Sequence, residues 1–504
     1  MKKGEFYLNP IGFFIILGVI IIILSFLLNL IGFQANYVTI GSSGELESSI
    51  ITVNSLLNGD GFIYIISNAI SNFALFTPLT TLIVALIGIG VAVNSGFLNV
   101  LFNVLANKVN RTVLTFILIF IAVLSSIGGD IGYVILIPLG ALLFIANKRN
   151  PLAAVVAIFA GITGGNAANL FVGGVDSIMA SYTSLAAGIL DPTYEVGIAS
   201  NLFLMITAVI GISLIGTYVT EKTTIPRFGR YEFDDNEEKP IYSGDIRGLL
   251  FALIGCLITI LITTYCIIPG LPGSGILLDP KGTNYITMLL GYNSYFYQGL
   301  VTLLSFGLVI AGLLFMIGSR TFKLNKNVLT NSLTDISGML VLFFFVAQAL
   351  ALFKKSNIGN VLVISLLDLI KDLQISSLPL IVLVLLIVAL AAIFVPSTPT
   401  KWMMMSPVLI PLFMQANMTA EFGQMIYRVG DSITRGITPI LPYFAVFLVY
   451  LTKYNKRLDK PITVLSSIKM LIPYQLYFAL LWIILILAWY IIGLPLGPNV
   501  YPTL

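Results

Sequence analysis

The charged side chains of Lys401, Arg428, Asp431 and Arg435 fall within the stretch from Val395 to Tyr443, which lies between strongly apolar runs. A charge at bilayer depth costs about 2.5–3.5 kcal/mol even on lenient insertion scales, so such residues face a bundle interior or a wet cavity and mark a site. Pro396, Pro399, Pro407, Pro411, Pro439 and Pro442 share the stretch. Each removes a backbone N–H, which predicts helices broken at membrane depth; lipid permits this only where protein or a cavity covers the break. Arg428 and Asp431 stand three apart and share a face if that turn is helical. One reading is a mutually neutralising pair that locks the broken helix. The other has Arg428 binding a substrate carboxylate through two guanidinium nitrogens.

A second set of candidates lies in the first half of the chain. Gly164, Gly165, Asn166 and Asn169, in G-G-N-A-A-N (164–169), free backbone carbonyls and add amide oxygens, hard ligands suited to a sodium ion. The same small residues also suit a close helix crossing. Asp130 ends the polar run S-S-I-G-G-D (125–130) and joins Asn166 and Asn169 as a candidate sodium set. Asp176 follows Gly173-Gly174 without a basic neighbour in sequence; it suits cation binding, proton carriage, or a helix end at the interface. Lys401 either meets a substrate anion or stabilises its turn, and Trp402 either stacks on an aromatic ring or packs. Met403, Met404 and Met405 read as packing, and Asp234-Asp235-Asn236-Glu237-Glu238 as a solvated loop rather than a metal motif.

Elements able to hold such residues are dictated by composition. The chain has 504 residues, 58% hydrophobic and 10% charged, against about 25% charged in a soluble domain, so the expectation is an all-α polytopic membrane protein. The absence of histidine excludes imidazole relays, Ser-His-Asp catalysis and histidine-bound metals, and no P-loop motif occurs. Cys256 and Cys266 share one apolar run and read as packing residues. The first apolar run, 11–33, is long for a signal peptide and is expected to remain as a span.

Seven plain spans are expected at 11–33, 76–95, 198–219, 248–268, 296–318, 336–353 and 465–493. Residues 112–147 and 378–413 each read as two apolar runs around a polar tip, that is, as re-entrant hairpins. Residues 151–190 and 421–450 each cross once, with unwound centres at 164–169 and 428–439, giving nine spans in all. Residues 37–73 read as an outer loop with an interfacial helix, and 356–372 as an interfacial segment too short to cross. The positive-inside rule orients this scheme with a cytoplasmic N-terminus and an outer C-terminus, placing eighteen of the 26 Lys and Arg inside and three in outer loops. The chain divides into N-terminal scaffold or dimerisation spans (1–111), a first repeat (112–219), a cytoplasmic linker (220–247), middle spans (248–377) and a second repeat (378–504). Hairpin, broken helix and span occur in the same order in both repeats, the second inverted, as in secondary transporters.

The pairing of A-G-I-T-G-G-N-A-A-N-L (160–170) and Asp176 with K-W (401–402) and Y-R-V-G-D-S-I-T-R-G-I-T-P-I-L-P-Y (427–443) resembles the AbgT family of p-aminobenzoyl-glutamate transporters and antimetabolite exporters. The ending G-L-P-L-G-P (493–498) matches as well, so the likeness covers nearly the whole chain. It implies a homodimer in the cytoplasmic membrane, nine spans, two hairpins and cation-driven symport, with no cofactor beyond Na⁺ or H⁺. It carries functional roles onto Asp176, Trp402, Arg428, Asp431 and Pro439. The chain departs from the family pattern at Pro399, where Ser397, Thr398 or Thr400 stands in for a serine, and at Ala420, Asn166 and Arg435. The function implied is ion-coupled transport of p-aminobenzoyl-glutamate or a related aromatic carboxylate. The alternatives are a sodium-coupled dicarboxylate carrier and a sulfonamide-like drug efflux pump of the same fold. A lipid-modifying enzyme would need metal at 234–238, and a channel would conduct without saturating.

Overall fold

Asparagines and threonines placed before prolines and apolar runs start the helices. In the computed structural model, which describes residues 8–40, 46–231, 246–291, 293–321, 337–370, 377–457 and 460–504, Asn9 caps the helix Pro10–Leu30. Its side chain accepts a 2.7 Å hydrogen bond from Gly12 N–H, and Pro10 stands in the first turn, where a missing N–H costs nothing. Asn150 does the same before Pro151, and Thr463 before Val464.

Among the described residues nine helices are long and apolar enough to cross a membrane: Pro10–Leu30, Thr77–Asn94, Arg111–Gly128, Leu202–Phe228, Ile246–Ile267, Tyr295–Gly318, Gly338–Ser356, Ser377–Phe394 and Val464–Ile492. The number equals the expected one, but the membership differs. Arg111–Gly128 and Ser377–Phe394 are first arms of hairpins, whereas the broken helices supply only shorter pieces, Pro151–Gly164 and Phe444–Tyr454. The protein is a nearly all-helical polytopic membrane protein with two hairpins. Its one described sheet is the antiparallel pair β1 (Gln34–Ile40) and β2 (Leu46–Thr52), with Tyr37 opposite Ser49, where sequence reading expected only a loop with a helix. The β-branched residues of both strands suit a pleated, half-buried ribbon. Ile358–Asp368 is a short helix lying against β1 and the second hairpin, in keeping with a segment that does not cross.

The first hairpin runs Arg111–Leu124, a tight turn Ser125–Gly128, then Ile131–Ala146; the second runs Ser377–Phe394, then Thr398–Gln415. The first broken helix is Pro151–Gly164 followed by Gly174–Ala187, unwound over 165–173, which covers most of the expected 164–169 and extends beyond it. The second is Ala420–Thr434 followed by Phe444–Tyr454. Its break lies C-terminal to the expected one, because helix continues through Arg428 and Asp431. Two expected proline breaks are also absent: Pro407 and Pro411 lie inside Thr398–Gln415, which neighbouring helices bury and support. Hairpin, broken helix and span thus occur in the same order over 111–219 and 377–492.

The halves meet through aromatic rings: Phe159 stacks on Phe447 at 4.3 Å between centroids, and Tyr133 on Tyr443 at 5.0 Å. Near Gly436 the packing leaves no room for a side chain, since a Cβ there would come within 2.6 Å of Thr163 Oγ1. At the far end of the first hairpin, Arg149 donates to Glu221 at 2.5 Å and to Thr115 Oγ1 at 2.8 Å, tying the hairpin to the end of the adjoining span. The acidic run 234–238 and half of the linker 220–247 lie outside the described residues, as do Lys2, Lys3, Lys323, Lys326 and Lys371.

Candidate functional site

The helix Ala420–Thr434 is buried along nearly its whole length, and its polar residues recur at Gln424, Arg428 and Asp431, with Arg435 in the turn that follows. Steps of three and four residues keep them on one face. That face does not join Arg428 to Asp431, which was one of the two readings of their spacing. Each finds its partner elsewhere.

Arg428, 4% exposed, forms an ion pair through one terminal nitrogen with Asp176 Oδ1, from the other half of the chain. The same nitrogen lies 3.5 Å from Met205 Sδ. Asp176 Oδ2 accepts a 2.6 Å hydrogen bond from Gly173 N–H, so its carboxylate also caps the helix Gly174–Ala187. Asp176 is therefore not the lone carboxylate that its sequence neighbours suggested; its partner stands 252 residues away. Arg428 Nε is buried without a hydrogen-bond partner among the described residues. A buried donor left unsatisfied is costly, which makes it a natural point of attachment for an anion.

Asp431, fully buried, forms an ion pair with Lys401, also fully buried. Its other oxygen accepts from Thr398 Oγ1 at 2.5 Å and Asn166 Nδ2 at 3.2 Å, and stands 3.6 Å from an Arg435 nitrogen. Several donors around one carboxylate explain why Asp431 turns to the second hairpin rather than to Arg428: buried charges persist where pairing and hydrogen bonding are both supplied. Asn166 brings the unwound part of the first broken helix into this cluster and also donates to Thr398 Oγ1 at 3.1 Å.

Trp402 is buried, tilted against the Tyr427 ring at 4.4 Å, and donates to Thr183 Oγ1 at 3.0 Å. Thr183 donates in turn to Gln424 Oε1 at 2.6 Å. Tyr427 donates to the Thr398 carbonyl at 2.6 Å. Thr183, Gln424 and Tyr427 were not singled out from the sequence; the four-residue spacing from Arg428 was the available signal for Gln424 alone. Towards the end of this face Glu421 accepts from Tyr194 at 2.7 Å. Burial and then the Glu421 hydrogen bond hold the Tyr194 phenol well above its ordinary pKa, so it remains a donor.

The remaining predicted residues stand apart from this network. Ser397 is exposed and donates to Thr400 at 2.8 Å, while Pro439 is half-buried in the break before Phe444–Tyr454. Asn169 donates to Ser126 at 3.2 Å, and its side-chain oxygen accepts from Leu170 N–H at 2.9 Å. The Gly164 carbonyl accepts from Trp482 at 3.0 Å, and that of Gly165 from Ala168 N–H at 2.8 Å. Oxygens of three residues expected to hold sodium are thus already engaged by protein donors. Asp130 is exposed at the first hairpin tip, where Gly129 turns at φ 68° against the Tyr297 hydroxyl, a turn that favours glycine.

Set against known proteins, residues 2–504 match the family model described as the AbgT putative transporter family. The chain is 29% identical over 501 residues to the p-aminobenzoyl-glutamate transport protein of Escherichia coli (strain K12), covering 98% of this chain and 94% of that one. Among solved structures it is 30% identical to the Alcanivorax borkumensis YdaH transporter, covering 97% of this chain and 100% of that one, with a TM-score of 0.49. It is 32% identical to Neisseria gonorrhoeae MtrF, described with a class of antimetabolite efflux pumps, covering 99% and 98% with a TM-score of 0.48.

Proposed function

The chain belongs to the AbgT family of transporters, and from that premise we propose that it carries p-aminobenzoyl-glutamate or a related aromatic carboxylate across the cytoplasmic membrane, driven by an ion gradient. The observation that carries this reading is the Arg428–Asp176 pair. A guanidinium from the second half is buried against a carboxylate from the first, with Nε unpartnered. A substrate carboxylate competes with Asp176 for Arg428 and can take two nitrogens at once, as guanidinium geometry favours. Displacing Asp176 uncouples the halves at this point, which is how binding would bias one rigid half to move against the other. Trp402 and Tyr427 already pack on one another, so a substrate ring meets them only after that movement.

Basic residues concentrated on one side support a cytoplasmic N-terminus and an outer C-terminus. A homodimer completes the proposal; the largely exposed apolar helix Ile246–Ile267 supplies a face for lipid or a second copy. The test is uptake of labelled p-aminobenzoyl-glutamate into proteoliposomes, with unlabelled p-aminobenzoyl-glutamate, citrate and succinate as competitors. Competition by the aromatic glutamate alone supports the reading. Competition by citrate or succinate instead would make the protein a dicarboxylate carrier. Saturation and counterflow separate a carrier from a channel.

A further inference from the structure

The tip of the second hairpin, between Phe394 and Thr398, leaves the Val395 and Pro396 carbonyls outside both helices, because Pro396 and the chain reversal interrupt the ladder. The protein answers with its own donors. Lys401 donates to the Val395 carbonyl at 3.2 Å, Arg435 to the Pro396 carbonyl, and Tyr427 to that of Thr398. Arg435, 8% exposed, places the same nitrogen 3.1 Å from Thr398 Oγ1 and 3.6 Å from Asp431 Oδ2. A backbone carbonyl, a hydroxyl and a carboxylate oxygen therefore converge on one point, and that point holds a guanidinium nitrogen. Carbonyl, hydroxyl and carboxylate oxygens at a discontinuous helix are the donor set of a small hard cation.

We propose that Arg435 is a tethered cation, filling the oxygen cage at the second hairpin tip so that this carrier binds and moves its substrate without sodium. The proposal rests on the transport reading above for its substrate but not for its geometry. Charge supports it. Lys401 and Arg435 already bring two positive charges to the one carboxylate of Asp431. A sodium ion in the same cage would be a third cation without a counter-charge, and it would occupy volume that the guanidinium fills. A fixed arginine delivers the charge with no site to load or empty. Removing it leaves a set of hard oxygens that asks for a replacement, which makes the idea testable.

Two measurements on the purified full chain separate this proposal from the substrate reading. Binding of ²²Na⁺, which needs no substrate, is measured for the wild type and Arg435→Gln. Binding of p-aminobenzoyl-glutamate is then measured in sodium and in choline buffers. The wild type is expected to bind no saturable sodium and to change substrate affinity by less than about twofold between buffers, whereas Arg435→Gln gains saturable sodium binding and a sodium dependence of about tenfold or more. Saturable sodium binding by the wild type, or wild-type substrate binding lost in choline, overturns the proposal even if the variant does not fold. Arg435→Gln that folds and binds no sodium also overturns it, leaving Arg435 a purely structural donor. If p-aminobenzoyl-glutamate fails to bind in any buffer while the sodium results are as expected, the tethered cation stands and the substrate assignment falls.

Discussion

The two hairpin tips perform the same turn with opposite chemistry. At the first, Ser125 and Ser126 fold back onto the carbonyls of Ala122 and Val123 at 2.7 and 3.0 Å, and glycine completes the reversal. At the second, the carbonyls of Val395, Pro396 and Thr398 are met by Lys401, Arg435 and Tyr427, two of them from a different helix. The first half offers Asp176 and Asn166; the second offers the cations Lys401, Arg428 and Arg435 around the carboxylate of Asp431. Short side chains make a tip that stands on its own, whereas long charged ones make a tip whose integrity depends on its neighbours. The difference explains why the site belongs to neither half: Arg428 with Asp176, Asn166 with Asp431, and Trp402 with Thr183 all join one half to the other.

Substitutions at the second tip are therefore expected to spread, and those at the first to remain local. Lys401→Ala carries the largest effect, because it removes the nearest counter-charge of a fully buried carboxylate; a loss of about 3–5 kcal/mol is expected. Thermal unfolding in detergent checks it, and the double variant Lys401→Met with Asp431→Asn should recover part of the loss. Asp176→Asn sharpens the comparison differently. It removes the competitor for Arg428, so substrate binding holds or tightens while turnover falls by roughly tenfold, since the pair that resets the halves is gone. Equilibrium binding and initial uptake rates together read the two changes; a loss of binding with unchanged turnover contradicts the competition. Trp402→Phe keeps the ring but deletes the donor to Thr183, and a destabilisation of about 1–2 kcal/mol follows. Asn169→Ala is the smallest. Its hydrogen bonds stay within the first half, so uptake should remain within about twofold and stability within about 1 kcal/mol. Complete loss of uptake in that variant would break the contrast and return Asn169 to the ion site that its sequence context suggests.

Both hairpins were legible in the sequence because polar tips interrupt apolar runs, and the first broken helix because G-G-N-A-A-N cannot continue a helix well. The second break was misplaced by reading charge as unwinding: Arg428 and Asp431 sit on regular helix, and the chain opens only after Thr434. Proline misled in the same region, since Pro407 and Pro411 are accommodated within a supported helix. The partners of the buried charges were not legible, because a pair 252 residues apart leaves no local pattern. Even so, the stripe at Gln424, Arg428, Asp431 and Arg435 shows that helical spacing held part of that information.

The central claim is that Arg428 receives the substrate carboxylate. Calorimetric titration of p-aminobenzoyl-glutamate into purified wild type and Arg428→Ala tests it most directly, with thermal unfolding as the check that the variant remains folded. Saturable binding by the wild type that disappears in a folded Arg428→Ala is the predicted result; the same affinity in both would remove Arg428 from the site and contradict the account.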